Sequence, residues 1–333
     1  MNGQTMDQPP RVSVVTPFYN AAPYLRECVE SVLRQTWTSF TYFLVNNQST
    51  DGSLAIANEC AQRDHRIRVV STPRLLPQRE NFNFAMAQAP LDSDYCKLLS
   101  ADDWMYPECL ERMIAVAETN PEICLVGAYH LKGTAVGGTG LPYHSSVFSG
   151  RDICRRQLLE GDFFFGSPTA VLYRGDLLRQ RKPFYNAQSL HDDTEACYEI
   201  LATRKFGFVH QIMTYMRVEP TSEYGRTQAW NPQGLDKLIC LVKYGPLFLE
   251  DGELSAAMRA HERNYYGDYV RRLFSPGVRE FVRYHQAGHE RVGYRLRPAA
   301  LLVASLREVA NIVFNPLHSV LRLRAQLMRM ASL

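Results

Sequence analysis

Between residues 11 and 131, short β-branched runs alternate with helical spacings. The stretches "RVSVVTP" (11–17), "FTYFLVN" (40–46), "IRVVS" (67–71), "YCKLL" (95–99) and "EICLVGAYHL" (122–131) read as strands. The intervening 24–35, 51–63, 78–89 and 107–118 read as helices; the first has apolar residues at 25, 28, 29, 32 and 33 and Pro23 suited to its first turn. Alternation at this pace predicts a mostly parallel sheet with helices on both faces. In such sheets ligands bind outside the carboxyl ends of the strands. Three loops lie at such ends: "PFYN" (17–20), "NNQSTDG" (46–52) and "SADDW" (100–104). They are expected to converge on one crevice.

Beyond 131 the pattern changes. The Gly-rich segment 132–146 reads as a mobile loop, 151–161 as a helix, 167–174 as partly strand, 192–203 as a helix and 206–218 as a strand. From about residue 231 only helices are predicted: 232–249, 253–273, 278–286, 298–313 and 316–330. Charge is unevenly spread. The whole chain carries +3, while Arg259 to Leu333 holds 13 Arg, no Lys and 5 acids, or +8, leaving −5 for the rest. The eight cysteines form neither C-x-x-C nor zinc spacing, which points to a reducing compartment without disulfides. "MNGQTMDQPP" lacks the charged and apolar regions of a signal peptide, and no run reaches the ~20 apolar residues of a membrane span. The expected location is the cytoplasm, with peripheral membrane contact through the basic tail.

The adjacent carboxylates of Asp102 and Asp103 have two readings. One caps the following helix while the other is solvated, or the pair holds a divalent cation. Mg²⁺ and Mn²⁺ use one or two protein carboxylates and complete their shell with substrate phosphates. Asn47 is either part of a turn or an amide facing a base edge. Asp192, Asp193 and Glu195 suit the positive end of a helix dipole, so capping is their simplest role.

The set "VSVVTPFYNAAPYLRECVESVLRQTW", "LVNNQSTDGS" and "SADDW", in that order and spacing, resembles the family-2 glycosyltransferases with their GT-A fold. The likeness extends more loosely through "FGSPTAVLYR" and "LHDDTEACYEIL" to about residue 224. It implies a GT-A domain (11–225, nucleotide-sugar half 11–131, acceptor half 132–225); residues 1–10 are expected to form a disordered tail, and 226–333 a helical C-terminal region that lies outside the likeness. It further implies that Pro17, Tyr19, Asn20 and Asn47 border the nucleotide. Asp103 would be the direct Mn²⁺ or Mg²⁺ ligand, with Asp102 near ribose or metal. Asp193 would be the general base, with Asp192 beside it, and Gly166 and Ser167 would line the acceptor side. Arg79 is a candidate phosphate contact, because guanidinium suits phosphate geometry.

The implied reaction is inverting transfer of one sugar from a nucleoside-diphosphate sugar, UDP by family habit, to a glycan or lipid-linked acceptor. The chain departs from the pattern at Asn46, Asn47 and Ser100, where acids are usual, and at Glu219, where many members carry His. A non-catalytic sugar- or lipid-binding protein retaining the fold is the alternative. The first strand is followed by neither G-x-G-x-x-G nor a Gly-rich phosphate loop, against dinucleotide and nucleotidylyl-transfer chemistry. Basic residues do not interleave with aromatics, against nucleic acid. In the tail, Leu302, Leu306, Val309 and Val313 share one helical face, and Leu317, Val320, Leu321 and Leu327 follow with Arg322, Arg324 and Arg329 between them. These residues either pack into a core or lie on anionic lipid.

Overall fold

The computed structural model describes residues 9–161, 163–186, 191–218, 230–274 and 277–314. It divides into two compact units, Met1–Pro220 and Thr221–Leu333.

The first unit opens with β1 (Val12–Phe18), α1 (Ala22–Leu33), β2 (Phe40–Asn46), α2 (Ser53–Arg63), β3 (Ile67–Ser71), α3 (Gln78–Met86) and β4 (Tyr95–Leu98). All seven residues of β1 are buried, as a strand covered on both faces requires. It pairs in parallel with β2 on one side, Val12 opposite Phe40 through Phe18 opposite Asn46, and with β4 on the other. The chain therefore runs from β1 outward to β3, then returns across β1 to β4. This reversal opens a crevice at the carboxyl ends of β1, β2 and β4.

The remaining elements are β5 (Trp104–Met105), α4 (Cys109–Glu118), β6 (Ile123–Lys132), β7 (Ala135–Gly137), β8 (Val147–Ser149), α5 (Gly150–Glu160), a 3-10 turn (Pro168–Ala170), β9 (Leu172–Arg174), α6 (Asp176–Gln180), α7 (Asp192–Leu201) and β10 (Lys205–Met216). The ten strands form one sheet in the order β3-β2-β1-β4-β9-β6-β10-β5, with β7 on β6 and β8 on β10. Two short antiparallel insertions shape the crevice. β9 lies between β4 and β6, with Cys96 opposite Tyr173, so the 3-10 turn before it reaches the open end of β4. β5 pairs Trp104 with Tyr215, and their rings stack at 5.1 Å. That pairing draws the end of β10 toward the acid doublet.

Several expectations need amending. Segment 132–146 is not wholly a loop, since β7 folds back on β6 with Leu131 opposite Val136. β5, β8 and α6 were not expected. The predicted tail residues 1–8, Glu219 and the helix over 316–330 lie outside the described residues. The eight cysteines are buried and free.

The second unit contains α8 (Pro232–Phe248), α9 (Asp251–Arg272), α10 (Val278–Arg291) and α11 (Pro298–Phe314). Its interior holds Leu235, Leu238, Leu241, Tyr244, Tyr265, Tyr269 and Phe281. The Tyr265 hydroxyl lies 2.5 Å from His285 Nδ1 and 2.7 Å from His289 Nε2. Burial pushes both histidines down to about 4, so they are neutral at neutral pH. On α11, Leu302, Leu306, Val309 and Val313 are 62%, 61%, 58% and 63% exposed. Core packing therefore does not account for that face among the described residues. No described helix is long and apolar enough to cross a membrane.

Candidate active site

The turns after β1 and β2 hold each other through side-chain hydrogen bonds. Asn20 adopts a left-handed backbone (φ 48°), and its Oδ1 accepts from the Thr50 amide at 2.8 Å. Asp51 accepts from the Ala22 amide at 3.1 Å and the Ser53 amide at 2.9 Å, while Ser53 Oγ accepts from the Ala21 amide at 2.8 Å. Residues from the second strand end thus cap the first turn of α1. Desolvation is the largest single effect and raises the Asp51 carboxyl, but the Ser53 and Ala22 hydrogen bonds together outweigh it and hold the group below its ordinary value.

Pro17 is buried in β1, and the Tyr19 ring beyond it is 48% exposed at the mouth. Asn47 is buried. Its Oδ1 accepts from the Leu76 amide at 2.9 Å and from Thr72 Oγ1 at 3.1 Å, and its Nδ2 donates to the Leu76 carbonyl at 2.9 Å. Its acceptor oxygen therefore serves the segment that leads into α3, leaving one N–H for any further partner.

The acid doublet divides by burial. Asp103 is 6% exposed, and both its oxygens are engaged. Oδ2 accepts from Thr169 Oγ1 at 2.6 Å, and Oδ1 accepts from the Arg217 amide at 2.9 Å. Burial, then the neighbouring Asp102 charge, push its carboxyl up from the ordinary carboxylate range. Asp102 is half-buried, and its carbonyl accepts from Arg217 Nε at 3.1 Å. The order expected from sequence, with Asp103 as the direct ligand, meets an obstacle: Asp103 is built into the wall.

That wall contains residues the sequence reading passed over. Thr169 Oγ1 accepts from the Ser100 amide at 3.2 Å. Lys97, fully buried in β4, donates to the carbonyls of Thr169 and Val171, the latter at 3.0 Å. Desolvation lowers Lys97 to about 8. Arg217 spans the mouth, donating to Glu27 at 2.6 Å with its guanidinium 4.6 Å from the Tyr24 ring centre. A lysine inside the apolar run "YCKLL" was a readable signal, because a buried lysine needs acceptors.

Asp192 and Asp193 begin α7. The Asp193 carboxylate accepts from the Thr194 amide at 2.8 Å. Asp192 lies 3.5 Å from Arg79 of α3, so Arg79 faces a carboxylate instead of standing open to a phosphate. Burial, then Asp193, raise the Asp192 carboxyl, and Arg79 partly offsets them. Asn83, also on α3, exchanges two hydrogen bonds with the Tyr185 backbone at 2.7 and 2.8 Å. The Tyr185 hydroxyl donates to that of Tyr173 on β9 at 3.1 Å. The helix α3 thus links the Asn47 end of β2 to the first turn of α7. Gly166 has φ 66°, and a Cβ there would lie 2.5 Å from that of Ala170. Ser167 Oγ points to Met216 Sδ at 2.8 Å. Both residues feed directly into the 3-10 turn that carries Thr169.

The hard carboxylate oxygens of the doublet, one of them fixed by a buried network, fit a Mg²⁺- or Mn²⁺-type ion. Such an ion takes few protein ligands and fills its shell from phosphate and water. Among the described residues there is no cluster of three or more acidic, His or Cys ligands.

Comparison with known proteins agrees with this layout. The chain is 28% identical over 185 residues to the glycosyltransferase EpsJ of Bacillus subtilis (strain 168), covering 55% of this chain and 52% of that protein. It is 26% identical over 211 residues to the glycosyltransferase GlyG of Streptococcus pneumoniae serotype 4, covering 60% and 68%. The chain thus spans about half the length of EpsJ. Staphylococcus aureus TarS 1-349, solved with UDP, superposes with TM-score 0.55 at 14% identity over 90% of this chain and 92% of that one. The Pyrobaculum calidifontis mannosyltransferase PcManGT, solved with GDP-Man and Mn²⁺, gives 0.55 at 14% identity over 98% and 87%. These superpositions establish the same mixed α/β fold. The profile described as Glycosyl transferase family 2 matches residues 13–181, just over half the chain, and the chain belongs to that family of glycosyltransferases.

Proposed function

We propose that this glycosyltransferase moves one sugar from a nucleoside-diphosphate sugar to an acceptor hydroxyl with inversion, using Asp102 as the metal carboxylate and Asp193 as the base. The observation that carries the proposal is the unequal burial of the doublet at the switch point of the sheet. Asp103 is locked by Thr169 and Arg217, which leaves Asp102 as the carboxylate nearer solvent. Asp103 then acts as a positioning residue for Asp102. A divalent ion held there would neutralise charge on the departing diphosphate.

The chain's own residues supply the rest. The Tyr19 ring offers a stacking face for the base, and the remaining Asn47 N–H offers a donor. The Asp193 carboxylate takes the proton of the acceptor hydroxyl while the new C–O bond forms at the anomeric carbon. The bond to the diphosphate breaks with its electron pair leaving on the phosphate oxygen. Arg79 lies 3.5 Å from Asp192, which stands beside Asp193 at the start of α7. The relatives' solved complexes hold UDP, UDP-GlcNAc and GDP-Man, all nucleoside diphosphates. A UDP-sugar is the first donor to test, with glycan or lipid-linked hydroxyls as acceptors. Replacing Asp193 with Asn is expected to abolish transfer while donor affinity stays near wild type. Full transfer by D193N would refute the base role.

A further inference from the structure

We infer that the second unit docks on anionic phospholipid through the exposed face of α11 and the arginine-lined pocket between α9 and α11. Two independent features meet there. The first is apolar: Leu302, Leu306, Val309 and Val313 form a row about three turns long, all more than half exposed. The opposite side of the helix is the packed one. Ala304 is buried, and Glu308 accepts from Arg271 of α9 at 2.5 Å.

The second feature is polar. A pocket of about 340 Å³ is lined by Arg263, Asn264, Gly267, Asp268, Arg271 and Arg307, among others. Arg271 is neutralised by Asp268 and Glu308. Arg263 and Arg307 form no hydrogen bond or ion pair among the described residues, and three arginines against Asp268 and Glu308 leave the pocket lining with a net charge of +1. Ala304 and Arg307 line it, and Val303 and Leu306 adjoin them in sequence. Ala304 and Glu308 face α9, while Arg307 lies one helical turn beyond Val303, itself 55% exposed, so the pocket borders the exposed apolar side of α11 through Arg307. Guanidinium matches phosphate oxygens in pairs, and an apolar helix face seats at the acyl boundary just beneath them.

Charge decides between lipid and a second copy of the chain. The region from Arg259 to Leu333 carries +8, so self-pairing on this face would bring like charges together, whereas an anionic leaflet attracts them. No described helix, α11 included, is long and apolar enough to cross a membrane, so the proposed contact is docking on the surface. The inference does not depend on the transferase reading, because its readout is partition.

The test is co-sedimentation of the full chain with phosphatidylcholine vesicles, with and without phosphatidylglycerol. Wild type is expected to partition onto the anionic vesicles and to be released by salt. The double variant Arg263→Gln, Arg307→Gln is expected to weaken partition roughly 25-fold, about fivefold per arginine. The double variant Leu306→Asp, Val309→Asp is expected to lose more than roughly tenfold. Donor hydrolysis should be unchanged in both. Equal partition of wild type to both vesicle types, or no loss in either variant, overturns the inference. So does a wild-type dimer dissolved by the Asp variant without vesicle binding, which would make a second copy the occupant. A lowered melting temperature with unchanged partition also overturns it, because the chain itself would then cover the face.

Discussion

Replacing Thr169 with Val removes one oxygen and leaves the shape nearly unchanged. That oxygen joins two strand ends. It donates to Asp103 Oδ2 at 2.6 Å and accepts from the Ser100 amide at 3.2 Å, with Thr169 fully buried and Asp103 nearly so. A hydrogen bond to a charged group contributes about 1.5–3 kcal/mol, and a buried amide left without an acceptor costs about 1–3 kcal/mol. Because Val fills the same volume, no cavity cost adds to these. The expected destabilisation is roughly 3–5 kcal/mol, or roughly 6–20 °C in melting temperature for a domain of this size. Residues behind a metal ligand typically change metal affinity by about 10- to 100-fold, and a loss in that range is expected for Mn²⁺. Calorimetric melting and titration of Mn²⁺ with a UDP-sugar measure the two effects. A T169V protein that melts with wild type and binds Mn²⁺ as tightly would refute the claim that this wall positions the doublet.

Two further outcomes follow from the same contacts. Burial, then the neighbouring Asp193, raise the Asp192 carboxyl, so activity should fall on the acid side at a pH above the ordinary carboxylate range. Asp192→Asn removes the neighbouring charge and should move that limb to lower pH, read from kcat/KM against pH. The raised folded value also means that Asp192 contributes stability below its unfolded value near 3.8 and loses it as pH rises through about 7. The melting temperature of wild type should therefore fall relative to D192N across that window. Asp51→Ala removes the acceptor for the Ala22 amide at the start of α1 and should cost about 1 kcal/mol in urea unfolding, with a loss above that if the crevice turns also loosen.

The alternating half of the chain was legible because each of its strands is a continuous apolar run between turn signals. Even so, the carboxyl ends of those strands were read more accurately than the contacts made there. The roles of Asn47 and Asp51 depend on partners 29 residues away, Leu76 and Ala22, which no local pattern encodes. The wall behind Asp103 was missed for a similar reason. Thr169 reaches it only because three-residue β9 runs antiparallel between β4 and β6, and so short a strand carries almost no periodicity. Trp104 and Met105 are shorter still, and their pairing with β10 brings Arg217 to the doublet. Lys97 was the exception, since a lysine amid "YCKLL" announces a buried cation, though not its acceptors. In α11 the amphipathic row was visible, and only coordinates could reveal which side faces solvent.

The most direct test is titration of the full chain with a UDP-sugar in the presence and absence of Mn²⁺, for wild type and Asp102→Asn. Metal-dependent donor binding by wild type and its loss in D102N, with an unchanged melting temperature, is the predicted result. Donor binding that ignores both the ion and the substitution would contradict the account.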